Sequence, residues 1–160
     1  HNAAGELGQM TIHFRGTKNK LGGHGSLESY AGAEALVRQY NRLIKKQGYP
    51  EKIVRTAKPI FERFHEGEPV AARIVGQNTF YLGVGLANLV DIFSPELIVL
   101  GGGMALGGEK YISMIREEVR KHAMEYCADG LEIIPARLKE TAGFIGAARY
   151  ALERLDGKIP

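Results

Sequence analysis

The most constraining feature of this sequence is a long apolar segment that leads into a short apolar run and three glycines. Residues 69–93 begin with a proline, and Gly83 and Gly85 interrupt the large apolar side chains of their second half. This pattern predicts one long helix, enclosed by the fold because it is apolar on nearly all sides. Residues 96–100 then predict a parallel strand that is buried on both faces. The three glycines after it, here called the glycine triplet, are Gly101, Gly102 and Gly103.

The spacing of apolar residues predicts the remaining elements. Helical spacing recurs in four further segments: residues 27–44, 52–65, 108–124 and 142–155. We expect Pro59 to break the second of these and Thr141 to cap the last. Residues 10–15 and 131–138 favour strands. The second half of the chain therefore alternates helix and strand, which is typical of an α/β fold with helices on the faces of the sheet.

Composition excludes several classes of protein. A hydrophobic fraction of 44% with regular spacing is too high for a disordered chain. The single cysteine, Cys127, excludes a disulfide framework and is compatible with a reducing cytoplasm. We expect no membrane span, because no apolar run reaches about 18–20 residues. The net charge of +3 is spread along the chain, unlike a nucleic-acid-binding face.

The glycine triplet is the first candidate site. Ligands of α/β proteins bind at the carboxyl ends of strands, and glycines there let the backbone approach a ligand closely. The dinucleotide fingerprint and the Walker loop are both absent. From spacing alone, a nucleotide site and a simple tight turn both remain open.

Two carboxylates beside glycines form the second candidate site. Glu6 follows Gly5 and precedes Gly8, and Glu28 follows Gly25. Ionised carboxylates accept strong hydrogen bonds, so such a pair can bind a polyhydroxylated ligand. The alternative is structural, with Glu6 in a solvated turn and Glu28 in the first turn of a helix.

No metal site or catalytic set follows from spacing. The histidines at positions 13, 24, 65 and 122 lack the spacing of metal ligands. Cys127 has no neighbouring base that would activate it, so we interpret it as a packing residue. No Ser-His-Asp set can be assembled.

Four segments together resemble one known family. They are Ala4-Gly5-Glu6-Leu7-Gly8-x-Met10, Gly25-x-Leu27-Glu28-x-Tyr30, the run from Leu82 to Gly103, and Ala142-Gly-Phe-Ile-Gly-Ala-Ala148. They resemble the ROK family of bacterial sugar kinases and sugar-responsive repressors. The resemblance implies that residues 1–160 form one α/β unit, the C-terminal lobe of an actin-like, ribonuclease-H-like ATPase fold. Since the sequence starts at His1 without an initiator methionine, we expect a truncated or partial form of a longer chain, without its N-terminal lobe.

The resemblance also implies roles for the candidate residues. Glu6 matches the glutamate of the family's Glu-x-Gly-His motif, which contacts sugar hydroxyls, and Glu28 matches the second sugar-binding glutamate. Gln9 stands where the family has a histidine that touches the sugar, and an amide can still donate and accept. The glycine triplet would line the adenosine end of an ATP site.

The family's structural zinc site is altered in this sequence. Its four ligands are replaced by Gln9, Asn19, Leu21 and Ser26. Leu21 has no donor atom, and amide or hydroxyl oxygens are poor substitutes for thiolate and imidazole at zinc. We therefore predict that no zinc binds and that the loop of residues 16–26 is more mobile.

The function implied is transfer of the γ-phosphate of ATP, with magnesium, to a hexose hydroxyl. No catalytic residue is assigned in this chain, because the base is expected in the missing lobe and the fragment alone is expected to be inactive. The run Leu-Ala-Asn88 and the full triplet look more kinase-like than repressor-like. One alternative is the sugar-sensing domain of a ROK-type repressor, and another is a degenerate sugar-binding lobe. Only the repressor alternative implies nucleic acid as a binding partner. The family suggests a cytoplasmic homodimer.

Overall fold

A mixed, mostly helical α/β arrangement is found in residues 4–138 and 141–158, which the computed structural model describes. The α-helices are α1 (Leu27–Ala31), α2 (Ala33–Lys46), α3 (Lys58–His65), α4 (Pro69–Phe93), α5 (Gly108–His122), α6 (Glu125–Ala128) and α7 (Ala142–Leu155). The strands are β1 (Leu97–Leu100) and β2 (Glu132–Pro135). Short 3-10 helices cover Leu7–Gln9, Pro50–Lys52 and Gly102–Gly107. No helix among these is both long and apolar enough to cross a membrane.

Helix α4 is the central element, and its bounds match those predicted from the sequence. The Glu68 carboxylate caps its first turn by accepting a hydrogen bond from the backbone N–H of Ala71 at 3.1 Å. Its end is set by Ser94, whose φ of 43° lies in the left-handed region. Helices α1, α2, α3 and α5 all pack against α4. The prediction of full enclosure is wrong for the last turn, where Ile92 and Phe93 are exposed.

The glycines of α4 allow two neighbours to approach closely. A Cβ at Gly83 would lie 2.2 Å from the Cβ of Glu118 on α5. A Cβ at Gly85 would lie 2.6 Å from Cδ2 of Leu27 on α1. A larger residue at Gly83 would therefore push α5 away from α4, whereas a larger residue at Gly85 would displace the Leu27 side chain.

The two strands form a parallel pair behind α5. Leu97 lies opposite Glu132, and the register continues to Leu100 opposite Pro135. The prediction that β1 is buried on both faces is wrong, because Leu97 is 48% and Val99 53% exposed. In the described chain, helices cover only the other face of this pair.

Several sequence predictions fail near glycine and proline. Residues 10–15 form no strand, only an isolated bridge between Thr11 and Ser26. The helix expected over residues 27–44 is interrupted at Gly32, whose ψ of 158° is extended. Pro59 lies in the first turn of α3, where its missing N–H has no helical partner to lose, so it starts that helix rather than breaking one.

Helix α7 lies where the sequence predicts it but begins differently. Thr141 has helical angles, and its hydroxyl donates a hydrogen bond to the backbone oxygen of Leu138 at 2.6 Å instead of capping α7. None of its described side chains is buried. The core lies elsewhere, among α2 to α5, with Tyr40, Phe61, Ile74 and Ile112 almost fully inaccessible.

Candidate functional site

Gln9 and Glu28 meet at the start of α1. Gln9 ends the 3-10 helix Leu7–Gln9, and Glu28 lies in the first turn of α1. The Gln9 Nε2 donates a hydrogen bond to Glu28 Oε2 at 2.6 Å. The backbone N–H of Leu27 donates to Met10 O at 2.8 Å, which holds the two segments together.

Glu6 lies on the same segment, at the start of the 3-10 helix. Its backbone oxygen accepts a hydrogen bond from the N–H of Gln9 at 3.0 Å. Its side chain is exposed and makes no hydrogen bond within the described residues. The structure therefore brings the Glu6 backbone close to Gln9, but it brings only Gln9 and Glu28 into side-chain contact.

Asn19 joins this pair from the glycine-rich loop. Its Nδ2 donates to Gln9 Oε1 at 3.0 Å, while its Oδ1 accepts from the backbone N–H groups of Leu21 and Gly23, both at 2.9 Å. The loop is thereby closed by side-chain to backbone hydrogen bonds. In the sequence Asn19 stands at a replaced metal-ligand position, but an asparagine in a glycine-rich loop is also a turn signal.

The residues at the former zinc positions do not fit a zinc ion. Both polar atoms of Asn19 are committed to hydrogen bonds, and Leu21 is 78% exposed and has no donor atom. The Ser26 hydroxyl pairs with the Ser29 hydroxyl at 2.8 Å. No group of three or more His, Cys, Asp and Glu side chains that could hold a metal occurs in the described part of the chain. The absence of zinc and the mobility of the loop stay predictions.

Gln9, Asn19 and Glu28 line an open groove of about 540 Å³, here called the carboxylate groove. Its other walls include Lys20, Gly32, Ala33, Glu34 and Arg38. Lys20 Nζ lies 3.1 Å from Glu34 Oε2 in an exposed ion pair, which contributes little stability. The groove therefore combines acceptors, amide donors and cations, a set that suits a neutral polar ligand rich in hydroxyls.

The glycine triplet borders a second groove of about 650 Å³, here called the glycine groove. Of the triplet, Gly103 lines it, and a Cβ at Gly102 or Gly103 would have no neighbour within 4 Å. Gly101 instead faces the residue that follows β2, since its Cβ would lie 3.8 Å from that of Ala136.

The other walls of the glycine groove are mostly apolar residues and cations, and Glu34 and Thr56 complete the lining. The apolar residues are Ala33, Val37, Ala57 and Leu106, and the cations are Arg38, Arg55 and Lys58. Apolar walls suit a flat heterocyclic base, and cations beside them suit phosphate groups. Spacing in the sequence does not predict these residues, because helix packing brings them to the triplet.

The two grooves are neighbours, because both are lined by Ala33, Glu34 and Arg38. Arg38 is held in place by a hydrogen bond of 2.9 Å from its Nη2 to the backbone oxygen of Ser29. A hydroxyl-rich ligand in one groove and a phosphorylated ligand in the other would therefore lie side by side.

Comparison with known proteins identifies the family of this chain. The sequence model of the ROK family matches residues 1–154, and the chain belongs to that family. A glucokinase of Thermotoga maritima is 31% identical over 161 residues, which cover 95% of this chain and 50% of the glucokinase. A xylose repressor of Caldicellulosiruptor bescii is 29% identical over 150 residues, which cover 89% of this chain and 37% of the repressor.

A solved structure also matches closely. The crystal structure of a ROK family glucokinase from Streptomyces griseus, in complex with glucose and AMPPNP, has a TM-score of 0.82 and 28% identity. The match covers 92% of this chain and 51% of that glucokinase. The chain thus spans about half the length, or less, of the relatives it matches.

Proposed function

We propose that this chain is the C-terminal lobe of an ATP-dependent sugar kinase that phosphorylates a hexose or hexose derivative. The observation that carries the proposal is the shared wall of Ala33, Glu34 and Arg38 between the two grooves. A kinase must hold its phosphate donor and acceptor next to each other, and positioning is most of what catalyses phosphoryl transfer.

In this proposal the carboxylate groove binds the sugar. Glu28 accepts hydrogen bonds from sugar hydroxyls and Gln9 donates to one of them, with Glu6 reaching the ligand from the neighbouring turn. A charged group makes shorter and stronger hydrogen bonds than a neutral one, so Glu28 contributes more of the affinity than Gln9.

The glycine groove binds ATP in this proposal, with the triplet at the adenosine end. Arg55 and Lys58 would contact phosphate oxygens, since both are cations that line this groove. The base and the remaining phosphate contacts come from the N-terminal lobe, together with the magnesium-binding groups. The proposed assembly is a homodimer, and the use of ATP implies a cytoplasmic location.

A second candidate is the sugar-sensing domain of a ROK-type repressor. The identity to the Caldicellulosiruptor bescii xylose repressor, 29%, is close to the 31% with the glucokinase. Both functions need the carboxylate groove, so the glycine groove distinguishes them: a kinase must bind ATP there, and a sensor has no such requirement.

The test is a coupled phosphorylation assay on the full-length protein with ATP, magnesium and a panel of hexoses. The Glu28→Gln variant keeps the size of the side chain and removes its charge. We expect its sugar KM to rise about 5- to 30-fold, because a charge-assisted hydrogen bond is replaced by a neutral one. Its KM for ATP should not change.

Glu132→Gln, an exposed carboxylate on β2 outside both grooves, is the matched control and should leave both KM values unchanged. If the full-length protein phosphorylates none of the hexoses in the panel and binds a specific operator, the repressor is favoured instead. An unchanged sugar KM in Glu28→Gln would remove Glu28 from the sugar site.

A further inference from the structure

We infer that Asn19 is a positioning residue for the sugar site, acting through Gln9, and that its side chain takes the place of a metal in ordering this loop. The inference rests on the proposed function, because it concerns how that site presents its hydrogen-bonding groups. It follows from a continuous chain of hydrogen bonds that runs from the loop backbone through Asn19 and Gln9 to Glu28.

The loop backbone, where this series of hydrogen bonds begins, fixes which atom donates and which accepts at every later step. The backbone N–H groups of Leu21 and Gly23 can only donate, so the atom of Asn19 that faces both of them is its oxygen. The Asn19 amide nitrogen must then point to Gln9, which lies 3.0 Å away. The Gln9 atom that receives this hydrogen bond is therefore an oxygen.

The other end of the chain requires the same orientation. An ionised carboxylate only accepts hydrogen bonds, so Glu28 must face the nitrogen of the Gln9 amide. The structure has this arrangement, with Gln9 Nε2 at 2.6 Å from Glu28 Oε2. The oxygen and nitrogen of the Gln9 amide are nearly indistinguishable by shape, but the contacts with Asn19 and Glu28 both require the same assignment.

This orientation decides what the site offers a ligand. Gln9 Nε2 carries a second hydrogen, and Glu28 has a second oxygen, Oε1; neither has a partner among the described residues. A donor and an acceptor consequently lie side by side in the carboxylate groove. A hydroxyl group donates and accepts at once, so this pair matches neighbouring hydroxyls of a sugar.

The same contacts explain how the loop is held. One asparagine oxygen bonds two backbone N–H groups that are two residues apart, which closes the turn between residues 19 and 23. An additional hydrogen bond runs from the N–H of Asn19 to Gly23 O at 2.7 Å. The closure therefore uses only neutral groups that need neither a thiolate nor a bound ion.

Two variants of Asn19 separate its two roles in the full-length protein. Asn19→Asp keeps an oxygen for the N–H groups of Leu21 and Gly23, but turns an acceptor toward the Gln9 oxygen. It should leave the loop closed and release Gln9. Asn19→Ala removes both contacts and should open the loop as well. Amide hydrogen exchange at Leu21 and Gly23 reports closure directly and should rise only in Asn19→Ala.

Calorimetry measures the sugar affinity of these variants, and the coupled assay measures their kinetic constants. Asn19→Asp should weaken sugar binding about tenfold, as expected when about one charge-assisted hydrogen bond is misplaced, with KM for ATP unchanged. In a Gln9→Ala background the same substitution should have no further effect, because Asn19 acts through Gln9.

Asn41→Asp is the matched control. Asn41 also closes a loop with both side-chain atoms, to the N–H and the oxygen of Val54 at 2.9 and 2.8 Å, but lies outside both grooves. It should lower Tm and leave the sugar affinity unchanged. This control shows whether loss of a structural asparagine contact by itself alters sugar binding.

The outcomes are distinguishable. If the wild-type protein binds no sugar, the proposed function and this inference fail together. If wild type binds a sugar and Asn19→Asp binds it equally well, the proposed function stands and the inference is wrong. Additive losses in Gln9→Ala with Asn19→Asp would also overturn it, since Asn19 would then act independently of Gln9.

Discussion

Tyr111 donates a hydrogen bond of 2.6 Å to the side-chain oxygen of Asn78, and both residues are inaccessible to solvent. The Asn78 amide nitrogen in turn donates to the backbone oxygen of Ala31 at 2.9 Å. This buried network links α1, α4 and α5 (residues 31, 78 and 111). It anchors α1, the helix that carries Glu28, and thereby holds one wall of the carboxylate groove in position.

Tyr111→Phe should destabilise the protein by about 1–3 kcal/mol, because it leaves the buried Asn78 oxygen without a donor. The free energy of unfolding from a urea titration measures this loss. Tyr126→Phe is the control, since Tyr126 is 76% exposed and its hydroxyl donates to the sulfur of Met124 at 3.2 Å, not to a buried oxygen. Equal stability of the two variants would show that the Asn78 oxygen is satisfied in another way.

The stability of the protein should fall as pH rises above about 10. Burial raises the pKa of Tyr111 above its ordinary value, and burial is also the largest cause of a raised pKa at Tyr40. Below pH about 10 both tyrosines are neutral in the folded and unfolded states, so they give no pH dependence. At higher pH the unfolded chain loses protons that the folded chain retains.

The free energy of unfolding should therefore decrease by about 1.4 kcal/mol per pH unit for each retained proton. Urea titrations between about pH 8 and pH 11, a range that spans the ordinary tyrosine pKa, measure the slope of the free energy of unfolding against pH. Tyr111→Phe should reduce it, because phenylalanine does not titrate. A slope identical to that of wild type would mean that Tyr111 ionises equally in both states.

Local signals were sufficient to predict α4 and its bounds. A proline at its first position, a capping carboxylate before it and a Ser-Pro step after it all act within one or two turns. The prediction of a strand at residues 10–15 was wrong because a glycine distant in the sequence overrides their alternating pattern. Gly25, at φ 66°, comes so close that its oxygen accepts from the N–H groups of both Ile12 and His13.

The candidate site could be predicted only in part, for the same reason. The glycine beside it indicated Glu28 and resemblance to a family added Gln9, whereas nothing in their spacing predicts that two residues 19 positions apart share a hydrogen bond. Arg55 and Lys58 carry no signal in the sequence. They reach the glycine groove because α3 packs against α4 and against the 3-10 helix Gly102–Gly107, which is a tertiary effect.

Gly83→Ala should be strongly destabilising. Its new methyl group would overlap the Cβ of Glu118 and lie 3.2 Å from the backbone carbon of that residue, so α4 and α5 would have to separate. Overpacking of this kind costs about 1–3 kcal/mol. Gly76→Ala is the matched control in the same helix, because its nearest neighbour would be Met114 Cε at 4.0 Å.

The control should be neutral or stabilising by up to about 1 kcal/mol, since alanine favours a helix over glycine. Thermal and urea unfolding of both variants provide the measurement. A Gly83→Ala protein as stable as the Gly76→Ala protein would contradict the close packing of α4 against α5.

Removal of zinc should leave the fold and the stability of the protein unchanged. Leu21 and the committed amide of Asn19 leave too few donor atoms for a zinc site in the loop. We expect no stoichiometric zinc by elemental analysis of chelator-washed protein, and the same Tm before and after treatment with a zinc chelator. One zinc per chain after the wash would overturn this prediction.

Arg55→Gln should weaken ATP binding by the full-length protein without altering sugar binding. Arg55 is an exposed cation of the glycine groove, so in the proposed kinase its contact with a phosphate would be screened by solvent. We expect the KM for ATP to rise about 3- to 10-fold, and the difference from wild type to shrink as ionic strength rises. Arg120→Gln on α5, an exposed arginine outside both grooves, is the matched control. If both substitutions raise the KM for ATP equally, the effect reflects net charge rather than a phosphate contact, and the glycine groove would lose its role as the nucleotide site.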